Sequence, residues 1–420
     1  MSFENFGFSG EILRAVKERG YTAPTQIQTQ AIPLVLQKKD ILGEAQTGTG
    51  KTASFTLPLL HLLLSEKASK KRPRFPRALI LAPTRELVDQ VYKNIGLYGK
   101  YLPLKYSAVF GGVPIERQIT KLRQGVDILI ATPGRLLDHV NRKTVDISSI
   151  EVLVLDEADC MLDMGFIHDI QKIVDCLPKK RQTLLFSATF SKAIQKLAEN
   201  LLCEPEMIKS SESKGVVSDQ VKQVVYPIDK QRKSELLTHL ITSNDWKQVL
   251  VFTRTKHGAD QLSKILKQKG IRSSSIHGDK RQSVRSKTLS SFKKGDIQVL
   301  VATDVAARGL DISQLPYVVN FELPHTPSDY IHRIGRTGRA GNEGEAISLV
   351  CVDEHKLLKD IEKLTKNSIS SVILPGFEVD KSIKPQPIRK GKSAANHPKK
   401  GYKRKPRPQA HKKRTFSKKY

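Results

Sequence analysis

The chain has 420 residues, 39% of them hydrophobic, which supplies ordinary cores for two domains or three small ones and excludes a single small one. A formal net charge of +29 marks it as strongly basic and points to a polyanionic partner. Its four cysteines, Cys160, Cys176, Cys203 and Cys351, lie too far apart for a close-spaced metal site or a disulfide framework, and suit a reducing compartment.

In chain order, Met1–Asn5 lacks the basic-then-apolar pattern of a secretory signal. The most apolar run, Leu57–Leu64, is too short to span a bilayer, so a soluble cytoplasmic protein with no membrane contact is expected. Ahead of it runs Ala45-Gln46-Thr47-Gly48-Thr49-Gly50-Lys51-Thr52. Strand-like apolar runs follow at Ala78–Ala82, Val126–Ile130, Val152–Leu155 and Thr183–Phe186, alternating with helical patterns, as in a parallel sheet with crossover helices. The third run leads directly into Asp156-Glu157-Ala158-Asp159.

Polar residues Lys209–Gly215 read as a linker. A second alternating series has strands at Val249–Phe252, Ser274–Ile276, Gln298–Val301 and Val318–Phe321, and His355–Lys366 reads as a closing helix. From Lys381 to Tyr420 there are 16 Lys or Arg and no acidic residue, leaving +13 for the rest. Such a tail cannot bury a core and is expected to be disordered.

The glycine loop suits a nucleotide. Glycines let backbone N–H groups surround phosphate oxygens, and the following helix adds its positive end. Lys51 is expected at the β- and γ-phosphates and the Thr52 hydroxyl on Mg²⁺. Ala45 replaces the glycine usual at the first position, so a plain turn opening a helix stays open as a lesser alternative for the loop alone. Asp156 is expected to hold the Mg²⁺ through water, and Glu157 to orient and deprotonate an attacking water. Adjacent carboxylates repel unless a cation sits nearby. Loop and acidic quartet together point to ATP hydrolysis.

These motifs stand in an order that resembles the DEAD-box RNA helicases of superfamily 2, over about residues 1–375. Gly20-Tyr21 through Pro24-Thr25-Gln26-Ile27-Gln28 resembles the Q motif, with Phe3 upstream and Gln26 where the family usually has Pro. Pro83-Thr84-Arg85-Glu86-Leu87, Gly111-Gly112, Thr132-Pro133-Gly134-Arg135, the quartet and Ser187-Ala188-Thr189 follow. The second half supplies Val251–Thr255, Gln282 with Arg285, Ala302-Thr303-Asp304 through Arg308-Gly309-Leu310-Asp311, and His332–Arg339.

The resemblance implies two RecA-like α/β domains, at 1–208 and 217–375, a linker at 209–216 and a disordered basic tail at 376–420. It implies that Gln28 bonds the adenine edge, using an amide that both donates and accepts, and that Tyr21 stacks on its face. Gln46, Thr47, Gly48, Thr49 and Gly50 would complete the phosphate cradle. Arg336 and Arg339 would be arginine fingers, Asp311 would lie near the ribose, and Asp304 in the interdomain network. RNA contacts fall to Thr84, Arg85, Gly112, Thr132, Gly134, Arg135, Thr253, Gln282, Arg285 and Thr303, which suit a phosphate and sugar track. The hydroxyls of Ser187 and Thr189 would bond near Asp159 and His332, joining the ATP site to strand separation.

Met1-Ser2-Phe3, Phe321-Glu322-Leu323-Pro324 and Ile373–Glu378 further resemble the bacterial RhlE-type subgroup. The implied function is an RNA-dependent ATPase that locally unwinds short duplexes, in ribosome assembly, RNA turnover or growth in the cold. Ribosomal precursors or RNA-decay proteins would then be partners. Two alternatives stay open: an ATP-gated RNA clamp or scaffold with little unwinding, and a DNA helicase of the same superfamily.

Overall fold

The computed structural model describes residues 2–45, 48–65, 75–209, 221–308, 310, 312, 314–338 and 344–387. Gln46, Thr47, Asp311, Arg339, linker residues 210–216 and tail residues 388–420 therefore lie outside the described residues.

The first lobe holds a seven-stranded sheet: β1 (Ile41–Glu44), β2 (Ala78–Leu81), β3 (Tyr106–Val109), β4 (Ile128–Ala131), β5 (Val152–Leu155), β6 (Gln182–Ser187) and β7 (Glu206–Lys209). Their order is β3-β4-β2-β5-β6-β1-β7, and every neighbouring pair is parallel. Helices α1 (Gly10–Glu18), α2 (Gln26–Leu36), α3 (Lys51–Ser65), α4 (Arg85–Tyr98), α5 (Ile115–Arg123), α6 (Pro133–Asn141), α7 (Ala158–Asp163), α8 (Ile167–Val174) and α9 (Lys192–Leu201) accompany it.

Strand β5 shows why the sequence reads this way. Val152 and Val154 enter one core while Leu153 and Leu155 enter the other. A strand covered on both faces needs an unbroken apolar run. Strands β1, β3 and β7 lack one. They interpose Gly43 and Glu44, Ser107, and Glu206 with Lys209, and they escape the apolar pattern.

The second lobe repeats the plan with β8 (Val221–Pro227), β9 (Val249–Thr253), β10 (Ser273–Ile276), β11 (Val299–Thr303), β12 (Tyr317–Asn320), β13 (Gly344–Val350) and β14 (Ser370–Ser371). The order is β10-β11-β9-β12-β13-β8-β14, again all parallel. Its helices are α10 (Lys233–Ser243), α11 (Lys256–Gln268), α12 (Gln282–Lys293), α13 (Asp304–Ala307), α14 (Pro327–Ile334) and α15 (His355–Thr365).

Two boundaries differ from expectation. Lys209, expected to open the linker, ends β7 and pairs with Glu44. The segment after residue 375, expected to be tail, packs on the second lobe as far as Gln386. Phe377 is buried in its core against Arg232 and His239, and the Gln386 N–H donates to Asp353. One apolar ring and a few local hydrogen bonds hold it, the start of the basic run included.

In parallel sheets all strands point one way, so their carboxyl ends share an edge where ligands bind. Here β1 leads into the phosphate loop, β2 into Thr84-Arg85, β4 into Thr132–Arg135, β5 into the acidic quartet and β6 into Ser187–Thr189. Topology thus gathers residues that are far apart in sequence.

Candidate nucleotide site and nucleic-acid track

A cleft of about 300 Å³ is lined by Gly48, Gly50, Lys51, Thr52, Asp156 and Glu157 of the first lobe and by Leu310, Ile312 and Arg336 of the second. Lys51 and Asp156 are buried with Nζ and Oδ1 2.7 Å apart, a close ion pair without well-aligned hydrogen bonds. Burial works to lower the Lys51 pKa, but Asp156 and then Glu157 outweigh it and hold it above its ordinary value. Burial, aided by the Asp156 charge and opposed by Lys51, raises Glu157 above the usual carboxylate range. Glu157 also sits in the left-handed region at φ 54°, a conformation that costs energy and clusters at functional sites. Oδ1 of Asp156 faces Lys51, while Oδ2 is buried without a hydrogen-bond partner and is available to a cation.

The phosphate loop is tied to its neighbours. The Ala45 N–H donates to Ser187 O at 3.0 Å, and the Thr25 hydroxyl donates to Thr49 O at 2.8 Å. Gln28 accepts from the Thr25 N–H and donates from Nε2 to Gly50 O at 3.1 Å. A Cβ at Gly50 would lie 2.5 Å from Gln28 Nε2, and its φ of +89° is strained for any residue with a side chain. The residue expected to read adenine therefore also braces the loop.

Tyr21 lines the cleft, 36% exposed, with its ring stacked on Phe3 and its hydroxyl 3.1 Å from the Tyr98 hydroxyl. Arg19, Gln90, Asn94 and Tyr98 line the same cleft and escaped the motif reading. Three of them recur every four residues on α4, a one-sided stripe that was the available signal.

Asp159 accepts from the Ala188 N–H at 3.1 Å and from the Thr189 hydroxyl at 3.2 Å. The Ser187 hydroxyl turns instead to Thr189 O. Asp159, Thr189, Arg308, His332 and Arg336 line a second cavity that shares Lys51 and Glu157 with the first. Asp304 binds Arg333 of its own lobe. Arg308 bridges the lobes, pairing with Asp163 of the first at 3.1 Å and with Asp329 of the second.

Along the expected track, Arg85 lies against Gly112, where a Cβ would fall 2.0 Å from Arg85 Nη1. Thr84 caps α4, its hydroxyl accepting from the Leu87 N–H. Thr132 is the N-cap residue of α6, and Gly134 and Arg135 stand in its first turn. Thr303 is the N-cap residue of α13. Thr253 is fully buried, its hydroxyl donating to Thr255 O at 3.3 Å, and presents no surface to a ligand in this conformation. Gln282 and Arg285 reach across the lobes to Glu86, at 3.0 and 2.9 Å.

A profile of the DEAD/DEAH box helicases matches residues 25–197, and one of the helicase conserved C-terminal domain matches residues 232–341. The chain belongs to the DEAD-box ATP-dependent RNA helicases, with two RecA-like domains in tandem. The DEAD-box helicase CshA of Bacillus cereus (strain ATCC 10987) is 44% identical over 377 residues, 90% of this chain and 70% of that protein. CshA of Bacillus subtilis (strain 168) is 42% identical over 378 residues, 90% of this chain and 75% of that protein. Among solved structures, S. cerevisiae Dbp5 bound to RNA and ADP BeF3 aligns with a TM-score of 0.79 at 32% identity, covering 89% of this chain and 95% of that one. A DEAD box protein from Methanococcus jannaschii aligns at 0.51 and 38% identity, covering 89% and 99%. These relatives carry the CshA name, so the expected RhlE-type placement gains no support from them.

Proposed function

We propose that this chain is an RNA-dependent ATPase that separates or remodels short RNA duplexes by closing its two lobes around ATP and one RNA strand. One observation carries the reading: Arg336 of the second lobe lines the same cleft as Lys51, Asp156 and Glu157 of the first. The site is complete only with the lobes together. The lobe arrangement also aligns better with RNA-bound and ADP BeF3-bound Dbp5 than with the more identical archaeal protein.

Asp156, with its unpartnered Oδ2, and Thr52 would hold Mg²⁺, which supplies charge neutralisation at the phosphates. Lys51 binds the β- and γ-phosphates. Glu157, with its affinity for a proton raised, orients water and takes its proton. Arg336 faces charge developing on the γ-phosphate, where such fingers are worth roughly 10³–10⁵ in rate elsewhere. Arg339 is assigned the same task, Asp311 the ribose, and Gln28 and Tyr21 the base. Asp159, Thr189 and His332 carry the state of the site toward the RNA track.

RNA is held mainly by its phosphates and sugars, with little base reading, and contacts to 2′-hydroxyls favour it over DNA. The strand held in the closed form is bent and loses its partner, and product release reopens the cleft. A cytoplasmic setting among ribosomal precursors or RNA-decay proteins fits this activity. RhlE-type membership rests on the three sequence phrases alone.

Strand displacement tests the proposal. A short labelled RNA duplex should separate in ATP-dependent fashion. RNA retention with ATP but no strand release would establish the clamp reading instead, and equal activation by DNA would overturn the choice of RNA.

A further inference from the structure

Beneath the RNA track lies a buried polar cluster in which Arg135 is joined by Gln118 and His139, two residues that neither the nucleotide site nor the family motifs use. Gln118 of α5 is 6% exposed, and all of its amide's bonds run to the track or its support. Its Nε2 donates to Phe110 O at 2.9 Å, one residue before Gly111-Gly112. Its Oε1 accepts from Arg135 Nη1 at 3.2 Å and lies 3.0 Å from His139 Nε2. Arg135 Nη1 also donates to Val113 O at 3.1 Å, one residue after the glycine pair. The glycine loop is thus gripped at both ends, by Gln118 on one side and Arg135 on the other, and the two grips are bonded together.

The orientation of this amide is determined. A carbonyl can only accept, so Nε2 must face Phe110 and Oε1 must face the two donors. His139 must then present Nε2–H, and its Nδ1 lies 2.8 Å from the Thr144 hydroxyl, which also donates to His139 O at 3.0 Å. His139 is fully buried, and burial, reinforced by Arg135, lowers its pKa to about 4.

We propose that Gln118 is a positioning residue for RNA: it sets Arg135 and the Gly111-Gly112 loop at the spacing that receives the backbone, and His139 locks the amide in place. The proposal rests on the RNA track described above. Gln118 touches neither nucleotide nor RNA. It acts by holding a cation and a glycine backbone that would otherwise move independently.

The test uses the full chain and single-stranded RNA, comparing Gln118→Met, Arg135→Ala and the double variant. Methionine keeps the length and packing of glutamine and removes every bond. A bond to a charged group is worth enough that Gln118→Met should raise the RNA concentration for half-maximal ATPase about tenfold. The rate at saturating RNA and the KM for ATP should change less than about twofold, and the penalty of the double variant should fall well short of the sum of the two single penalties, since Gln118 acts in large part through Arg135.

An unchanged RNA requirement in Gln118→Met, or a penalty that adds fully to that of Arg135→Ala, overturns the proposal. Arg135→Ala with an unchanged RNA requirement overturns the RNA track itself, and the proposal with it. Should Gln118→Met fail to fold, Gln118→Glu replaces it. Glutamate keeps the acceptor for Arg135 and loses the donor to Phe110, so an RNA requirement about threefold higher is expected, and an unchanged one is fatal.

Discussion

Arg285 of the second lobe places Nη2 2.9 Å from Glu86 of the first, and both side chains are buried there. Gln282, one turn earlier on α12, donates to the same carboxylate oxygen. Burial lowers the Arg285 pKa and Glu86 works against that, so the pair depends on the lobes being together. Glu86→Ala would leave Arg285 buried without its partner in the closed form and solvated in the open one. Truncating one member of such a pair costs on the order of 2–5 kcal/mol, here charged to closure. Energy transfer between labels on the two lobes, with RNA and a non-hydrolysable ATP analogue, should show the closed population falling. An unchanged population would mean the pair does not govern closure.

Gly50→Ala should damage ATP binding. Its φ of +89° is strained for alanine, and the new Cβ would meet Gln28 Nε2 at 2.5 Å. A cost of about 1–3 kcal/mol at this position corresponds to a KM for ATP higher by roughly five- to 150-fold. Steady-state kinetics at saturating RNA checks this, and a native KM would show that the loop and Gln28 are not mechanically joined.

Acid should release stability stored at His139. Its pKa falls from the ordinary 6.5 to about 4 in the fold. The unfolded chain therefore binds the extra proton first as pH drops. The contribution is full above about 6.5 and is lost as pH falls toward about 4. Comparison with His139→Gln isolates the effect from other titrations. The melting advantage of the native chain over the variant should shrink between pH 7 and 4.5, and a constant difference would contradict it.

The basic segment after Pro387 should add affinity without selectivity. Residues 388–420 hold 14 Lys or Arg and no acid. Removing them should weaken RNA binding and flatten its dependence on salt, because fewer counterions are released. Unchanged affinity and slope would deny the tail that role.

The sequence made some of this legible and hid the rest for physical reasons. Val152–Leu155 announces itself because both faces of β5 are covered. Ile41–Glu44 does not, since its strand character comes from lying between β6 and β7. The loop at Gly48–Thr52 and the carboxylates at Asp156 and Glu157 carry their chemistry in local spacing, and the sheet brings them together. The partnership of Arg285 with Glu86 spans the two lobes, and no local pattern encodes it. Gln118 was equally invisible, because its importance lies in what its two ends touch.

The central claim is that hydrolysis is gated by RNA through a site shared between the lobes. It is tested most directly by ATP turnover with and without single-stranded RNA, for the native chain and Glu157→Gln. Strong stimulation by RNA, abolished in the variant while ATP binding persists, is the predicted result. Turnover indifferent to RNA, or undiminished in Glu157→Gln, would contradict it.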